Sequence, residues 1–230
     1  MHIFLSDAHI RKDDSYRARL LLKFLNEIKP DLENLFILGD MFEFWFEYNI
    51  ALPKDYFKIL ATFYNLHEQG KKLHYILGNH EVVIGNFLKK LGFFVYPNEA
   101  EIELEGKKLF LAHGNKIDRR FWTILWENLL TSKFNHRLYS LVHPDIGVFL
   151  AQGIAHLSRQ QPRSQHLSNM LEKYANEKLK NFDIVILAHS HIPVIKNYPD
   201  NKYYINTGDW VDNFSYVKLV NGAISLNYYQ

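Results

Sequence analysis

The sequence predicts an α/β chain, two β-sheets packed as a sandwich and flanked by helices, with a helical insertion over residues 117–182. Three features predict it. In the N-terminal part, short apolar runs that end in polar residues alternate with longer segments of helical period. Later runs pair across tight turns at Gly106 and at Asn221-Gly222, which is how hairpins read. Between the two lies a strand-free stretch rich in aromatic residues and leucine.

Taken in order, residues 2–6 read as a strand and 16–28 as a helix, with Leu21, Leu22, Leu25 and Ile28 at helical spacing and Pro30 just beyond. Residues 35–38 form a strand, 55–67 a helix closed by Gly70, and 73–77 a strand, giving a βαβαβ beginning. Near-continuous apolar runs of this kind are expected of strands covered on both faces by helices. A hairpin follows, 101–104 against 108–112, then strands at 184–187 and 203–206, and a last hairpin, 216–220 with 223–227. The insertion concentrates positive charge: residues 116–182 carry ten basic against five acidic side chains, +5, where the whole chain is +2.

A chain of 230 residues corresponds to one to two units at about 150 residues each, and the 47% hydrophobic content favours one large core, so residues 1–230 are expected to form a single domain. The total charge gives no reason to expect a strongly polyanion-binding protein. Cysteine is absent, which excludes disulfides, zinc-thiolate sites and thiol nucleophiles together and fits a reducing interior. No stretch approaches the roughly 20 apolar residues that cross a bilayer. The first apolar run is shorter than a signal-peptide core, so a cytoplasmic protein is expected.

The chemistry sits where the strands end. The first ends at Ser-Asp7-Ala-His9, the second at Gly39-Asp40, the third at Gly78-Asn79-His80-Glu81, the hairpin at Ala-His113-Gly, and the late strand at Ala-His189-Ser-His191. In layered α/β folds such ends converge on one edge, where sites are built. A single Asp-x-His or Gly-Asn-His usually marks only a turn or a capped helix. Five in succession point to a shared site. Carboxylates and imidazoles without sulfur suit Mn, Fe, Co, Ni or Zn, and one carboxylate can bridge two ions. Paired ions about 3.5–4 Å apart activate water and polarise a phosphoryl group, so phosphoester or phosphoanhydride hydrolysis is expected.

In this order the five motifs resemble the calcineurin-like metallophosphoesterase superfamily, over nearly the whole chain. The resemblance implies the calcineurin-like two-sheet sandwich, with the helical insertion as a lid. It implies two divalent ions, manganese foremost: Asp7, His9, Asp40 and His191 at one, and Asp40, Asn79, His113 and His189 at the other. Asp40, Asn79 and His80 would be the catalytic group, with His80 beside the phosphate rather than on a metal and the acid after it, Glu81 where Asp is commoner, orienting its imidazole.

A narrower resemblance, to the UDP-2,3-diacylglucosamine hydrolases of lipid A synthesis, rests on four features: Gly-Asp40-Met-Phe-Glu43-Phe-Trp45-Phe, Ala-His113-Gly-Asn115, the basic aromatic insertion, and Asn206-Thr-Gly-Asp209-Trp210. The best-known branch has Arg at the position of His80, whereas other branches keep His. That family cleaves the pyrophosphate of a doubly acylated UDP-sugar to UMP and an acylated sugar 1-phosphate. Such a substrate needs paired metals, basic groups and an apolar slot. Candidate substrate residues are Asn115, Asp118, Arg119, Arg120, Ser158, Arg159 and Arg163, with Phe121, Trp122, Trp126 and Phe134 among the apolar side chains nearby. Basic and aromatic side chains together also suit the cytoplasmic face of the inner membrane as a peripheral partner.

Two other readings compete. A phosphodiesterase acting on soluble nucleotides or nucleic acid would also use paired metals, but no extended basic groove motif marks a nucleic-acid partner. A non-catalytic scaffold of the same fold should have lost His80 or several ligands, and this chain retains them. Oligomeric state, acyl length and the identity of the metal are left open. Trp45 and Trp210 read as packing beneath the site, and His2, His67, His74, His136, His143, His156 and His166 as structural or surface residues.

Overall fold

The computed structural model describes residues 1–13, 15–47, 54–83, 85–117 and 165–230. The first sheet contains β1 (His2–Leu5), β2 (Asn34–Leu38), β4 (Lys72–Ile76) and β6 (Phe93–Tyr96) in parallel, extended beyond β1 by the antiparallel hairpin β12 (Ser215–Val220) and β13 (Ala223–Tyr228). Its order is β13-β12-β1-β2-β4-β6. The second sheet places β10 (Val194–Tyr198), β11 (Lys202–Asn206), β9 (Ile184–Leu187), β8 (Lys107–Ala112) and β7 (Glu99–Leu104) side by side in that order. Two short strands, β3 (Trp45–Phe46) and β5 (Glu81–Val83), pair with each other and tie the loop after β2 to the loop after β4.

Strand alternation sends successive side chains to opposite faces. In β1, Ile3 and Leu5 join Leu35, Ile37, Leu73 and Tyr75 under the helices α1 (Tyr16–Ile28) and α2 (Phe57–Glu68). Phe4 faces the other way and meets Phe36, Leu38, Ile76, Leu109, Leu111, Ile184 and Ile186 between the two sheets. The second sheet's outer face is covered by α4 (Gln165–Lys178), through Leu167, Leu171 and Ala175. The order is therefore helix, sheet, sheet, helix. The apolar strands are covered by helices on one face and by the partner sheet on the other, which corrects the expectation of helices on both. Burial of each large apolar side chain contributes about 1.5–3 kcal/mol, and three contiguous clusters supply the core.

Helix ends and turns follow their sequence signals. The Ser15 hydroxyl accepts the Ala18 N–H at 3.2 Å and caps α1. The β12–β13 turn has both Asn221 and Gly222 at positive φ, the geometry for which Asn-Gly is selected. Asp13 reaches across to accept the N–H groups of Lys58 and Ile59, so the loop leaving β1 is pinned to the start of α2. The insertion expected over 117–182 is helical over α4, and the short helical turn Asn115–Ile117 lies just before it. Residues 118–164 lie outside the described residues. Sequence reasoning omitted β3, β5, β6, β10 and the one-turn α3 (Phe87–Lys90). β3 and β5 have only two and three residues, and β10 mixes Lys196 and Asn197 into its run.

Candidate metal centre

The loops after β1, β2, β4, β8 and β9 meet at one edge of the sandwich. Beyond the end of the sheet the first two stay laced in parallel: Asp7 N–H donates to Gly39 C=O at 3.1 Å, His9 to Asp40 at 3.0 Å, and Ile10 to Met41 at 3.0 Å. Asp7, His9, Asp40, His189 and His191 all have positive φ, between 44° and 67°. That conformation is uncommon for side-chain-bearing residues and costs of order 1 kcal/mol or more each. Here it falls on five of the predicted ligands, and its effect is to turn their side chains toward one point.

Asp40 is the hub. Its Oδ1 accepts the His80 backbone N–H at 2.9 Å, which leaves Oδ2 facing the Nε2 atoms of His113 at 3.4 Å, His80 at 3.8 Å and His9 at 3.9 Å. The approach is close enough that glycine is required beside it. A Cβ on Gly78 would stand 2.2 Å from Asp40 Oδ1, and one on Gly39, at φ +79°, would meet Gly78 N at 2.6 Å. On one side His191 Nε2 lies 3.2 Å and His9 Nε2 3.8 Å from Asp7 Oδ1, with the His9 and His191 rings stacked at 5.2 Å. On the other, His113 Nε2 is 3.3 Å from Asn79 Oδ1, and the His113 and His189 rings meet edge-on at 5.0 Å.

Three donor groups result: Asp7, His9 and His191; His9, Asp40 and His80; Asp40, His113 and His189, each with ligand atoms within 4.8 Å of one another. The donor chemistry fits divalent cations. Asp7 and Asp40 are buried, and among the described residues their ion-pair partners are histidines alone. Asp7 Oδ1 is buried with no hydrogen bond among the described residues. His113 Nδ1–H donates to Leu38 C=O at 2.6 Å, so in the neutral ring the Nε2 lone pair turns toward Asp40 Oδ2 and Asn79 Oδ1. Lone pairs brought this close suit a cation between them, a metal ion or, without one, a proton on Nε2. Burial disfavours the charged His113 ring, yet Asp40 and Asp7 outweigh it and hold its pKa up to about 10. Burial likewise works to raise the Asp40 pKa, but His113 and His80 take it well below the usual carboxylate range.

Outside the donors, support comes from groups that sequence reasoning missed. Asp209 Oδ2 stands 3.6 Å from His191 Nδ1, on the ring side away from Asp7. Burial alone would raise the Asp209 pKa, but His191 and the N–H groups of Asp212 and Asn213 hold it well below the usual range. Asn206 donates to Ala188 C=O at 2.8 Å and fixes the same loop. The signal was present, since Asp209 follows β11 just as Asp40 follows β2. Glu81 does not orient His80, which corrects the expectation. Its Oε2 instead accepts the N–H groups of Asp40 at 3.0 Å and Gly78 at 2.8 Å, and its Oε1 the Tyr75 hydroxyl at 2.8 Å. The His80 ring is oriented by Glu43, whose backbone C=O takes Nδ1–H at 2.6 Å. A main-chain acceptor carries no residue signature.

The predicted site residues Asp7, His9, Asp40, Asn79, His80, His113, His189 and His191 are thus brought together. Asn115 is half-buried in the turn two residues beyond His113. Asp118, Arg119, Arg120, Ser158, Arg159 and Arg163 lie outside the described residues. Trp45 and Trp210 are fully buried in the core, as expected of packing residues.

Residues 3–193 match the family model described as calcineurin-like phosphoesterase. The chain belongs to this family. It is a metal-dependent hydrolase. Among curated proteins it is similar to the UDP-2,3-diacylglucosamine hydrolase of Porphyromonas gingivalis, at 30% identity over 93% of this chain and 91% of that protein. Its similarity to the protein of the same name from Haemophilus influenzae is 27%, over 92% of this chain and 91% of that one. For Pectobacterium carotovorum the identity is 26%, over 97% of each. A solved structure of a predicted phosphoesterase from Streptococcus pneumoniae aligns with a TM-score of 0.44 and 14% identity, over 99% of this chain and 96% of that one. Among the described residues no helix is long and apolar enough to cross a membrane.

Proposed function

We propose that this calcineurin-like phosphoesterase hydrolyses the pyrophosphate of UDP-2,3-diacylglucosamine, releasing UMP and 2,3-diacylglucosamine 1-phosphate in lipid A synthesis. The observation that carries the reaction type is the convergence of three imidazoles on Asp40 Oδ2 beside the Asp7 group. The relatives' names support the substrate.

In this reading Asp7, His9, Asp40 and His191 hold one divalent ion and Asp40, Asn79, His113 and His189 the other. Manganese is the favoured metal, and the donor set also accepts Fe, Co, Ni or Zn. When bound, such ions polarise phosphoryl oxygens and lower the pKa of water. The protein's residues do the rest. Leu38 C=O and Asp209 hold His113 and His191 in the orientation that presents Nε2 to the centre. Glu43 C=O fixes Nδ1–H of His80, leaving Nε2 to hydrogen-bond or protonate the departing oxygen. Contacts to the nucleotide and acyl chains are assigned to Asn115, Asp118, Arg119, Arg120, Ser158, Arg159 and Arg163 and to the aromatic side chains of the insertion. That segment also rests on the inner face of the membrane, as a peripheral contact.

The test is UMP release by manganese-loaded protein from UDP-2,3-diacylglucosamine, beside bis-p-nitrophenyl phosphate and an Asp40→Ala control. UMP appearing from the lipid only with Asp40 intact is the expected result. Cleavage of the small diester without the lipid would keep the hydrolase and remove the lipid role.

A further inference from the structure

A buried carboxylate at this edge is used by none of the steps above. Glu43 is fully buried, and its Oε1 pairs with Arg11 Nη2 at 3.2 Å. Arg11 stands two residues after His9, in the stretch that bridges Ile10 to Phe42, where Glu43 N–H donates to Ile10 C=O at 2.9 Å. Glu43 therefore works twice. Its main chain fixes the His80 ring and its side chain fixes a guanidinium, so one residue holds both groups. Unlike Glu43, the Arg11 side chain is 46% exposed.

Burying a carboxylate in an ion pair does not by itself favour stability, since an apolar pair of similar volume usually does as well. It does fix the arginine in one place, and a guanidinium whose position is already set loses little freedom on meeting a ligand. Its forked N–H donors match phosphate oxygens. The attacked phosphorus belongs over the donor groups around Asp40, among which His80 stands with His9. Arg11 is linked to these donors twice, by the chain two residues from His9 and through Glu43 to His80, and a pyrophosphate has a second phosphate to offer it.

We propose that Arg11 binds the phosphate that leaves, and so makes the site prefer a pyrophosphate to a simple diester. This rests on the reading of the chain as a pyrophosphate hydrolase. In the step concerned, the oxygen of water bonds to the attacked phosphorus and the bridging P–O bond breaks. The electron pair of that bond stays on the oxygen of the leaving phosphate. The protons of water pass to the products and solvent. Arginine gives up no proton; its charge stabilises the charge that grows on the leaving phosphate.

The experiment compares kcat/KM for UDP-2,3-diacylglucosamine and for bis-p-nitrophenyl phosphate in Arg11→Gln, Arg11→Lys and the double variant Arg11→Gln with Glu43→Gln. Melting temperature and bound manganese are recorded for each. The expected result is a fall of roughly 10- to 100-fold in the pyrophosphate-to-diester ratio for Arg11→Gln. Lysine should restore part of it, and the double variant should not. An equal fall on both substrates, an unchanged ratio, or recovery of the ratio in the double variant would each reduce Arg11 to a counterion of Glu43 and overturn the proposal. Should the unmodified protein cleave the diester but not the lipid, the substrate reading fails separately. Arg11 is then judged by the same ratio with UDP-glucose as the pyrophosphate.

Discussion

Two regions of the sandwich bury histidines, and they use them in opposite ways. At the edge that carries Asp40, imidazoles crowd two carboxylates, five residues stand at positive φ, and His113 is held up to about 10. Elsewhere a polar row crosses the first sheet, from His2 and Asn34 at the starts of β1 and β2 through His74 in β4 to Tyr96 at the end of β6. The Tyr96 hydroxyl donates to His74 Nδ1 at 3.2 Å, His74 Nε2–H to Asn34 Oδ1 at 3.2 Å, and Asn34 Nδ2–H to His2 Nδ1 at 2.9 Å, while His2 Nε2 faces Glu105 Oε1 at 3.3 Å. Each of these donors meets an acceptor with both rings neutral. Burial lowers the His74 pKa to about 4. His2, Asn34, His74 and Tyr96 have no positive φ, and Glu105 has one only as part of the β7–β8 turn with Gly106. A buried histidine by itself therefore says little about function. What separates a site from a satisfied network is convergence of lone pairs on one point and a backbone strained to achieve it.

The sharpest way to break the contrast is to remove its hub. Added manganese at 100 times its Kd should stabilise the protein by about 2.7 kcal/mol, or roughly 5–10 °C for a chain of this size. In Asp40→Ala this shift should vanish and turnover should fall by about 10³-fold. A metal-dependent rise in melting temperature that survives the substitution would mean that the cation binds elsewhere. Next in size is Asp209→Asn. Without the carboxylate behind His191, metal affinity should drop about 10- to 100-fold, read by titration against a chelator, while secondary structure is kept. Unchanged affinity would remove Asp209 from the centre.

Much of this was legible in the sequence, because the strand ends that carry Asp7, His9, Asp40, Asn79, His113, His189 and His191 are recognisable as ends. Apolar runs stop there, and acids and imidazoles begin. The two-sheet assembly was legible from the apolar runs, but what covers each face was not: Ile3 and Phe4 are both apolar, and one lies under the helices while the other meets the partner sheet. What escaped was of two kinds. The carbonyls of Leu38 and Glu43, which set two rings, belong to the main chain and leave no mark in residue identity. Glu81 follows His80 in sequence, but its longer side chain turns back to bind the Asp40 and Gly78 amides instead. Adjacency in the chain suggested a partner that geometry did not supply.

The smallest expected effect tests the quiet region of the molecule. His74 has its pKa lowered by burial, with Lys72 adding to it, so the folded protein refuses a proton that the unfolded chain accepts near pH 6.5. Its contribution to stability is then complete above pH 6.5 and is lost progressively as pH falls toward 4. His74→Phe keeps a ring stacked on Phe36, which lies 4.2 Å from the imidazole, but gives up the bonds to Asn34 and Tyr96. The variant should be the less stable protein at pH 7.5, and its deficit should shrink by on the order of 1 kcal/mol by pH 5, after allowance for solvent screening of the ring. Urea unfolding of both proteins in chelator at the two pH values measures this, because titration of the metal-site residues is common to both and cancels in the difference. A deficit that stays constant with pH would show that His74 takes up its proton as readily in the folded protein as in the unfolded chain, and the contrast between the two regions would then rest on backbone strain alone.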